Sequence, residues 1–138
     1  MDRRTRDLMC SRKSDDWSTP KDFYDKLDQE FHFDYDPCPL RSNDCDALFK
    51  DWNGNIFVNP PYSNISNFLE KGLLELYKGN AKVVVFLVPA RTDTKWFHGF
   101  VLDKAEIRFI KGRLKFGDSI NNAPFPSLVL VYRTNKLD

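Results

Sequence analysis

The stretch GNIFVNPPYSN, residues 54–64, combines residue types that suit chemistry on an aromatic amine. Pro60 and Pro61 stop the preceding strand pattern, hold the backbone extended and have no N–H to donate. Their carbonyl groups and the side-chain carbonyl of Asn59 therefore provide hydrogen-bond acceptors at one place. Tyr62 adds a flat face on which a nucleobase can stack, a contact worth about 1–3 kcal/mol. The tetrad therefore predicts a site for an exocyclic amino group.

The amino group of a nucleobase is a poor nucleophile, because its lone pair is delocalised into the ring. Acceptors that bind both of its N–H groups localise the lone pair and allow attack on an electrophilic methyl group. Catalysis would then consist of positioning and of electrostatic stabilisation of the developing positive charge. A rigid turn without a catalytic role is the alternative interpretation. The place of the tetrad directly after an apolar strand favours the catalytic one.

Helix and strand patterns alternate around the tetrad. Helices are predicted over residues 18–31, 63–79 and 92–102, and strands over residues 31–35, 55–61, 81–89, 105–112 and 123–133. Thr19 is predicted to cap the first helix, with Pro20 in its first turn. The alternation predicts an α/β fold, a single Rossmann-like layered domain with a mostly parallel sheet. In such sheets ligands bind outside the carboxyl ends of the strands, where Asp36, Asn59 and Pro89 fall.

The composition excludes several classes of protein. The chain has 138 residues, of which 41% are hydrophobic, and no apolar run near 18 residues, so we expect no membrane span. Its N-terminal stretch lacks the apolar segment of a signal peptide. Three cysteines are too few for a disulfide framework, which favours a reducing, intracellular setting. His32, Cys38 and Cys45 fit no common zinc pattern, so no metal site is expected.

The wider pattern resembles the small phage-type (Dam-like) DNA N6-adenine methyltransferases. The segments that carry the resemblance are DDWSTPKDFYDKLDQEFHFDYDPC, NDC, LFKDWNGNIFVNPPYSNISNFLEKG, VVVFLVPARTDTKWFH, IRFIKGRLKF and APFPSLVLVY, and they cover nearly all of Asp16 to Tyr132. The resemblance implies S-adenosylmethionine as cofactor and double-stranded DNA as substrate, with the target adenine flipped out of the duplex. It also implies a phage or prophage protein that acts in the host cytoplasm as a monomer or homodimer. We expect a flexible arm over residues 1–15 and a methyltransferase domain over residues 16–138.

The resemblance also assigns roles to individual residues. Asn59, Pro60, Pro61 and Tyr62 match the catalytic loop, and Phe125 matches an aromatic residue placed against the flipped base. The residues expected to bind the cofactor are Trp17, Thr19, Pro20, Asp36, Pro37, Cys38 and Asp46, with Asp51 as an alternative to Asp46. The loop DPCPLRSND departs from most methyltransferases because it has no glycine.

Basic residues near strand ends can contact the DNA backbone. Arg91, Arg113 and Lys115 are predicted to bind phosphate, since neutralisation of the backbone dominates DNA affinity. A capped helix start for Arg91 and a solvent-facing turn for the other two remain the alternatives. Two other functions also stay open: methylation of a different amine, such as cytosine N4, an RNA base or a glutamine, and a non-catalytic DNA-binding or cofactor-sensing module.

Overall fold

The elements found around the tetrad follow the predicted alternation. A computed structural model describes residues 18–38, 45–115 and 125–134, with the backbone alone at Cys45 and Asp46; the predicted arm over residues 1–15 lies outside these ranges. The helices are α1 (Lys21–Phe31) and α2 (Ile65–Tyr77), and the strands are β1 (Gly54–Val58), β2 (Ala81–Pro89), β3 (Glu106–Phe109) and β4 (Ser127–Arg133). Two 3-10 turns, Cys45–Phe49 and Tyr62–Asn64, and a π-helical turn, Phe97–Val101, lie between them.

The four strands form one sheet in the order β1-β2-β4-β3. β1 pairs with β2 in parallel, whereas β4 is antiparallel to both β2 and β3. The α/β class is confirmed, but the prediction of a mostly parallel sheet is wrong. β1, β2 and β3 do run in one direction, and helical segments supply the crossover connections that strands of the same direction need. The last strand enters between β2 and β3 and so makes two of the three pairings antiparallel.

The burial of β4 agrees with its inner position in the sheet. Its first six residues, Ser127 to Tyr132, are all buried, which suits a strand with neighbours on both sides. β3 has only four residues, none of them buried, and Phe109 is 80% exposed. Such a strand suits the edge of a sheet. These burial differences depend on the final packing, and the order of the strands along the chain does not contain them.

Side chains of the sheet alternate between two apolar layers, as expected for a pleated strand. On one face Ile56 and Val58 pack with α2 and with the fully buried Trp52. On the other face Phe57 packs with Leu27 of α1, in a cluster that also contains Phe31, Val85, Leu87, Val129 and Val131. Residues on both sides of the sheet therefore hold β1, the strand that carries the tetrad.

The strand predicted over residues 31–35 is reduced to a single parallel bridge between Tyr35 and Ile56, so that prediction is wrong in extent. The main chain at Gly54 has a φ of +92°, and a Cβ at this position would overlap with the Asp34 carboxylate. That carboxylate accepts a hydrogen bond from the Asn55 N–H at 2.8 Å. A side chain thus replaces part of the strand pairing, and it does so where only glycine fits.

Candidate active site

Asn59 lies immediately after β1 and is 5% exposed. Its side-chain nitrogen donates a hydrogen bond to the Thr19 hydroxyl at 3.0 Å. Thr19 was expected to cap α1, and that prediction is wrong: the N-cap residue is Pro20, without a side-chain cap bond. The Thr19 side chain is directed to the tetrad instead.

The two prolines differ in what their carbonyl groups do. Pro61 is extended, with φ −61° and ψ 134°, and its carbonyl accepts the N–H of Asn64 at 2.9 Å. The Pro61 carbonyl therefore closes the 3-10 turn that leads into α2. The Pro60 carbonyl, one residue closer to Asn59, is not the acceptor of this bond.

Tyr62 and Phe125 meet although 63 positions separate them in the sequence. Their ring centroids are 5.2 Å apart and their planes cross at 72°, an edge-to-face arrangement. Burial raises the pKa of the Tyr62 phenol, and the positive charge of Arg91 partly opposes this effect. Tyr62 therefore stays neutral at physiological pH and offers an aromatic face, not a base.

β4 brings Phe125 to the tetrad because of where it begins. Ser127 pairs with Pro89 at the end of β2, and the N–H of Ala90 donates to the carbonyl of Pro126 at 2.9 Å. The start of β4 consequently lies at the same end of the sheet as the carboxyl ends of β1 and β2. Ligand sites were expected at this end from the strand pattern.

Similarity to known proteins decides the family. A model of the family described as DNA N-6-adenine-methyltransferase (Dam) matches residues 8–134. The chain belongs to this family. A DNA N-6-adenine-methyltransferase of Haemophilus phage HP1 is 33% identical, with 81% of this chain and 71% of the relative covered. One from Escherichia phage T1 is 29% identical, with 71% of this chain and 45% of the relative covered. No solved structure gives a significant match.

Family membership confirms the resemblance drawn from the sequence. The three basic residues predicted to bind phosphate are all exposed. Arg91 is exposed and follows β2, close enough to Tyr62 for its charge to act on the phenol. Arg113 and Lys115 are also exposed and follow β3. Within the described part of the chain, no contact joins either of these two residues to the tetrad.

The three residues Asp36, Pro37 and Cys38, which the resemblance assigns to the cofactor, directly follow the Tyr35–Ile56 bridge beside β1. Asp36 is half-buried, and its Oδ1 accepts the N–H of Cys38 at 2.9 Å. Pro37 and Cys38 are buried, and the Cys38 side chain packs in the core layer on the α2 face. Asp36 is therefore the residue of this motif that presents a charged group, while its neighbours shape the turn.

Three other candidates for cofactor binding are Trp17, Asp46 and Asp51. Trp17 and the side chain of Asp46 lie outside the described residues. Asp51, the alternative to Asp46, has a side chain that is 65% exposed and lies 3.6 Å from the Nζ of Lys78. This ion pair gives Asp51 a surface role and does not favour it as a cofactor ligand.

The sequence patterns did not single out Tyr24, a residue of α1 whose ring packs against β1. Burial raises the pKa of its phenol, and the carboxylates of Asp28 and Asp36 add to this effect. Its ring meets Phe57 of β1 edge-on, with centroids 5.1 Å apart. Tyr24 precedes Leu27 by three residues, so the helical spacing that identified the inward face of α1 was a signal for it as well.

Proposed function

We propose that this member of the DNA N-6-adenine-methyltransferase family transfers a methyl group from S-adenosylmethionine to N6 of adenine in double-stranded DNA. We further propose that the reaction takes place at the corner formed by Asn59, Pro60, Pro61 and Tyr62. The proposal rests on one observation: the Asn59 amide and the Tyr62–Phe125 ring pair come together at the carboxyl ends of β1 and β2. A Rossmann-like arrangement of the domain belongs to the same proposal.

The tetrad would act on the amine by accepting its hydrogens. The side-chain oxygen of Asn59 and the carbonyl of Pro60 bind the two N–H groups, and the burial of Asn59 keeps water from competing. Because these acceptors are held by a strand end and two prolines, they need no reorganisation as positive charge develops on the nitrogen. The methylated nitrogen then releases one proton, which passes to solvent because neither acceptor is a base at neutral pH.

The cofactor supplies a methyl group activated on a sulfonium centre. Asp36 suits the binding of S-adenosylmethionine, because a half-buried carboxylate beside β1 can pair with the cationic groups of this cofactor. The bond from the Cys38 N–H holds Oδ1 of this carboxylate in one orientation. The same role stays a prediction for the other residues that the resemblance assigned to the cofactor, namely Trp17, Thr19, Pro20, Pro37, Cys38 and Asp46.

The ring pair of Tyr62 and Phe125 would receive the flipped adenine. Stacking contributes about 1–3 kcal/mol for each base, which offsets much of the few kcal/mol that flipping costs. Arg91, whose charge acts on the Tyr62 phenol, is proposed to bind a phosphate near the flipped nucleotide. Arg113 and Lys115 are proposed to contact phosphates farther along the duplex, since the carboxyl end of β3 lies at the same end of the sheet as those of β1 and β2. The protein is expected to act as a monomer or homodimer.

Substitution of Asn59 by alanine tests the site. By analogy with the loss of one charge-stabilising group in other active sites, we expect kcat to fall by at least about 100-fold. Binding of S-adenosylmethionine, measured by calorimetry, should stay nearly unchanged. Asn53→Ala, an exposed asparagine at the other end of β1, is the matched control. Turnover retained by Asn59→Ala would remove the tetrad from the chemistry.

The identity of the product separates the alternatives. Mass spectrometry of DNA, RNA and protein after incubation with labelled cofactor should find N6-methyladenine in DNA. Label confined to cytosine, RNA or glutamine would redirect the proposal to another amine. A wild-type protein that binds cofactor and DNA without turnover would favour the non-catalytic module.

A further inference from the structure

The hydrogen bond between Thr19 and Asn59 couples the entry of α1 to the reacting corner. The Asn59 side-chain nitrogen donates to the Thr19 hydroxyl over 3.0 Å. Asn59 is buried and Thr19 is half-buried, so water competes little for this bond. Forty positions separate the two residues in the sequence. The contact therefore exists only because α1 packs back against β1.

The orientation of the Asn59 amide matters for the proposed reaction. An asparagine side chain presents an acceptor oxygen on one side and a donor NH₂ on the other. Only the oxygen can bind an amine hydrogen, and the NH₂ group would oppose it. A donor nitrogen bound to Thr19 directs the oxygen away from Thr19, because the two atoms diverge from the same carbon. In this structure the hydroxyl accepts the amide hydrogen and so holds the amide with its oxygen directed away from Thr19.

The packing of α1 against β1 fixes the position of Thr19. Pro20 restricts the backbone next to Thr19, with φ −58°, and its carbonyl accepts the Tyr24 N–H at 3.0 Å. The Tyr24 ring packs edge-on against Phe57, which lies two residues before Asn59. The helix that carries the hydroxyl and the strand that carries the amide are thus joined by a second contact close to the first.

We propose that Thr19 is a positioning residue that fixes the Asn59 amide with its carbonyl oxygen toward the adenine amine. This inference rests on the proposed function and goes beyond it. It also differs from the cofactor role that the family resemblance implied for Thr19. Thr19 does not touch the reacting atoms in this mechanism; it acts through Asn59. Its loss should therefore slow the chemical step and leave the cofactor site intact.

The test compares Thr19→Val, which removes the hydroxyl at nearly constant shape, with Thr19→Ser, which keeps the hydroxyl. We expect kcat of Thr19→Val to fall about 10- to 30-fold, the effect of one lost hydrogen bond with its buried donor left unpaired. Thr19→Ser should stay within about threefold of the wild type. The Kd of S-adenosylmethionine, measured by calorimetry without DNA, should change less than twofold in both. Thermal unfolding checks that each variant is folded, and Thr19→Ala carries the same expectation if Thr19→Val does not fold.

Each result decides the question. A wild-type kcat in folded Thr19→Val, or an equal loss in Thr19→Ser, would overturn the positioning role. A Kd for S-adenosylmethionine that rises as much as activity falls would assign Thr19 to the cofactor instead. Failure of the wild-type protein to methylate DNA adenine would be distinct from these results, because it would overturn the proposed function and this inference with it.

Discussion

Glu75 is a buried charge that ties α2 to the loop before β1. Its side chain is fully buried, and Oε1 accepts the main-chain N–H of Trp52 at 2.6 Å and the side-chain amide of Asn80 at 3.3 Å. Oε2 lies 3.1 Å from the Nζ of Lys78 and 3.4 Å from that of Lys71. Burial by itself would raise the pKa of this carboxyl, but the hydrogen bonds and ammonium groups outweigh burial and lower the pKa.

Substitution of Glu75 by glutamine keeps the shape and one acceptor oxygen, but turns an NH₂ group toward two ammonium groups. Breaking a buried ion pair costs about 3–5 kcal/mol. The Lys78 side chain is 43% exposed, and a partly solvated pair contributes less. We therefore expect the free energy of unfolding to fall by about 2–3 kcal/mol. In a chain of 138 residues this corresponds to a Tm lowered by about 6–15 °C.

The pH dependence of this effect has a defined sign. Because the pKa of Glu75 is lower in the folded protein than in the unfolded chain, its contribution is complete above the unfolded value of about 4.3. The contribution is lost as the pH falls through the folded pKa. The stability difference between the wild type and Glu75→Gln should therefore shrink in this acidic range.

Urea unfolding followed by tryptophan fluorescence between pH 7 and pH 3 measures both effects. Glu70→Gln, at an exposed position of the same helix, is the matched control and should change the free energy by less than about 0.5 kcal/mol. A Glu75→Gln protein as stable as the wild type at pH 7, or a stability difference that does not shrink in acid, would show that the Glu75 carboxylate does not stabilise the fold.

Two further substitutions test the backbone before β1 and the base pocket. Gly54→Ala should lower the free energy of unfolding by about 1–3 kcal/mol, because of the positive φ and the overlap with the Asp34 carboxylate. Gly99→Ala, where a Cβ meets nothing within 4 Å, is the control in the same urea titration, and equal effects would contradict the strain argument. Phe125→Ala should raise the KM for DNA about 5- to 20-fold through lost stacking, with the Kd of S-adenosylmethionine unchanged. Phe109→Ala, at an exposed phenylalanine, should leave both constants unchanged; an unaltered KM in Phe125→Ala would remove this ring from the DNA site.

The sequence alone predicted most of the helices and strands and the position of the tetrad after β1. The spacing of apolar residues predicted α1, α2 and β2, because helical and strand periods are local properties of the chain. Two adjacent prolines predicted that the strand over residues 55–61 stops there for the same local reason, although it already ends at Val58. The resemblance implied that Phe125 lies near the flipped base. Its ring lies 5.2 Å from that of Tyr62, and its contact with the base stays a prediction.

Only the tertiary structure decided which distant residues and strands contact each other. The insertion of β4 between β2 and β3, the bond from Asn59 to Thr19 and the ties from Glu75 to Trp52 and Asn80 all join residues or strands brought together by the final packing. Strand patterns do not encode which edge a later strand will join, since its pairing depends on the burial left open by the strands and helices already in place. A threonine before a proline likewise fits both a helix cap and a partner for a distant amide, and packing of α1 on β1 selected the second.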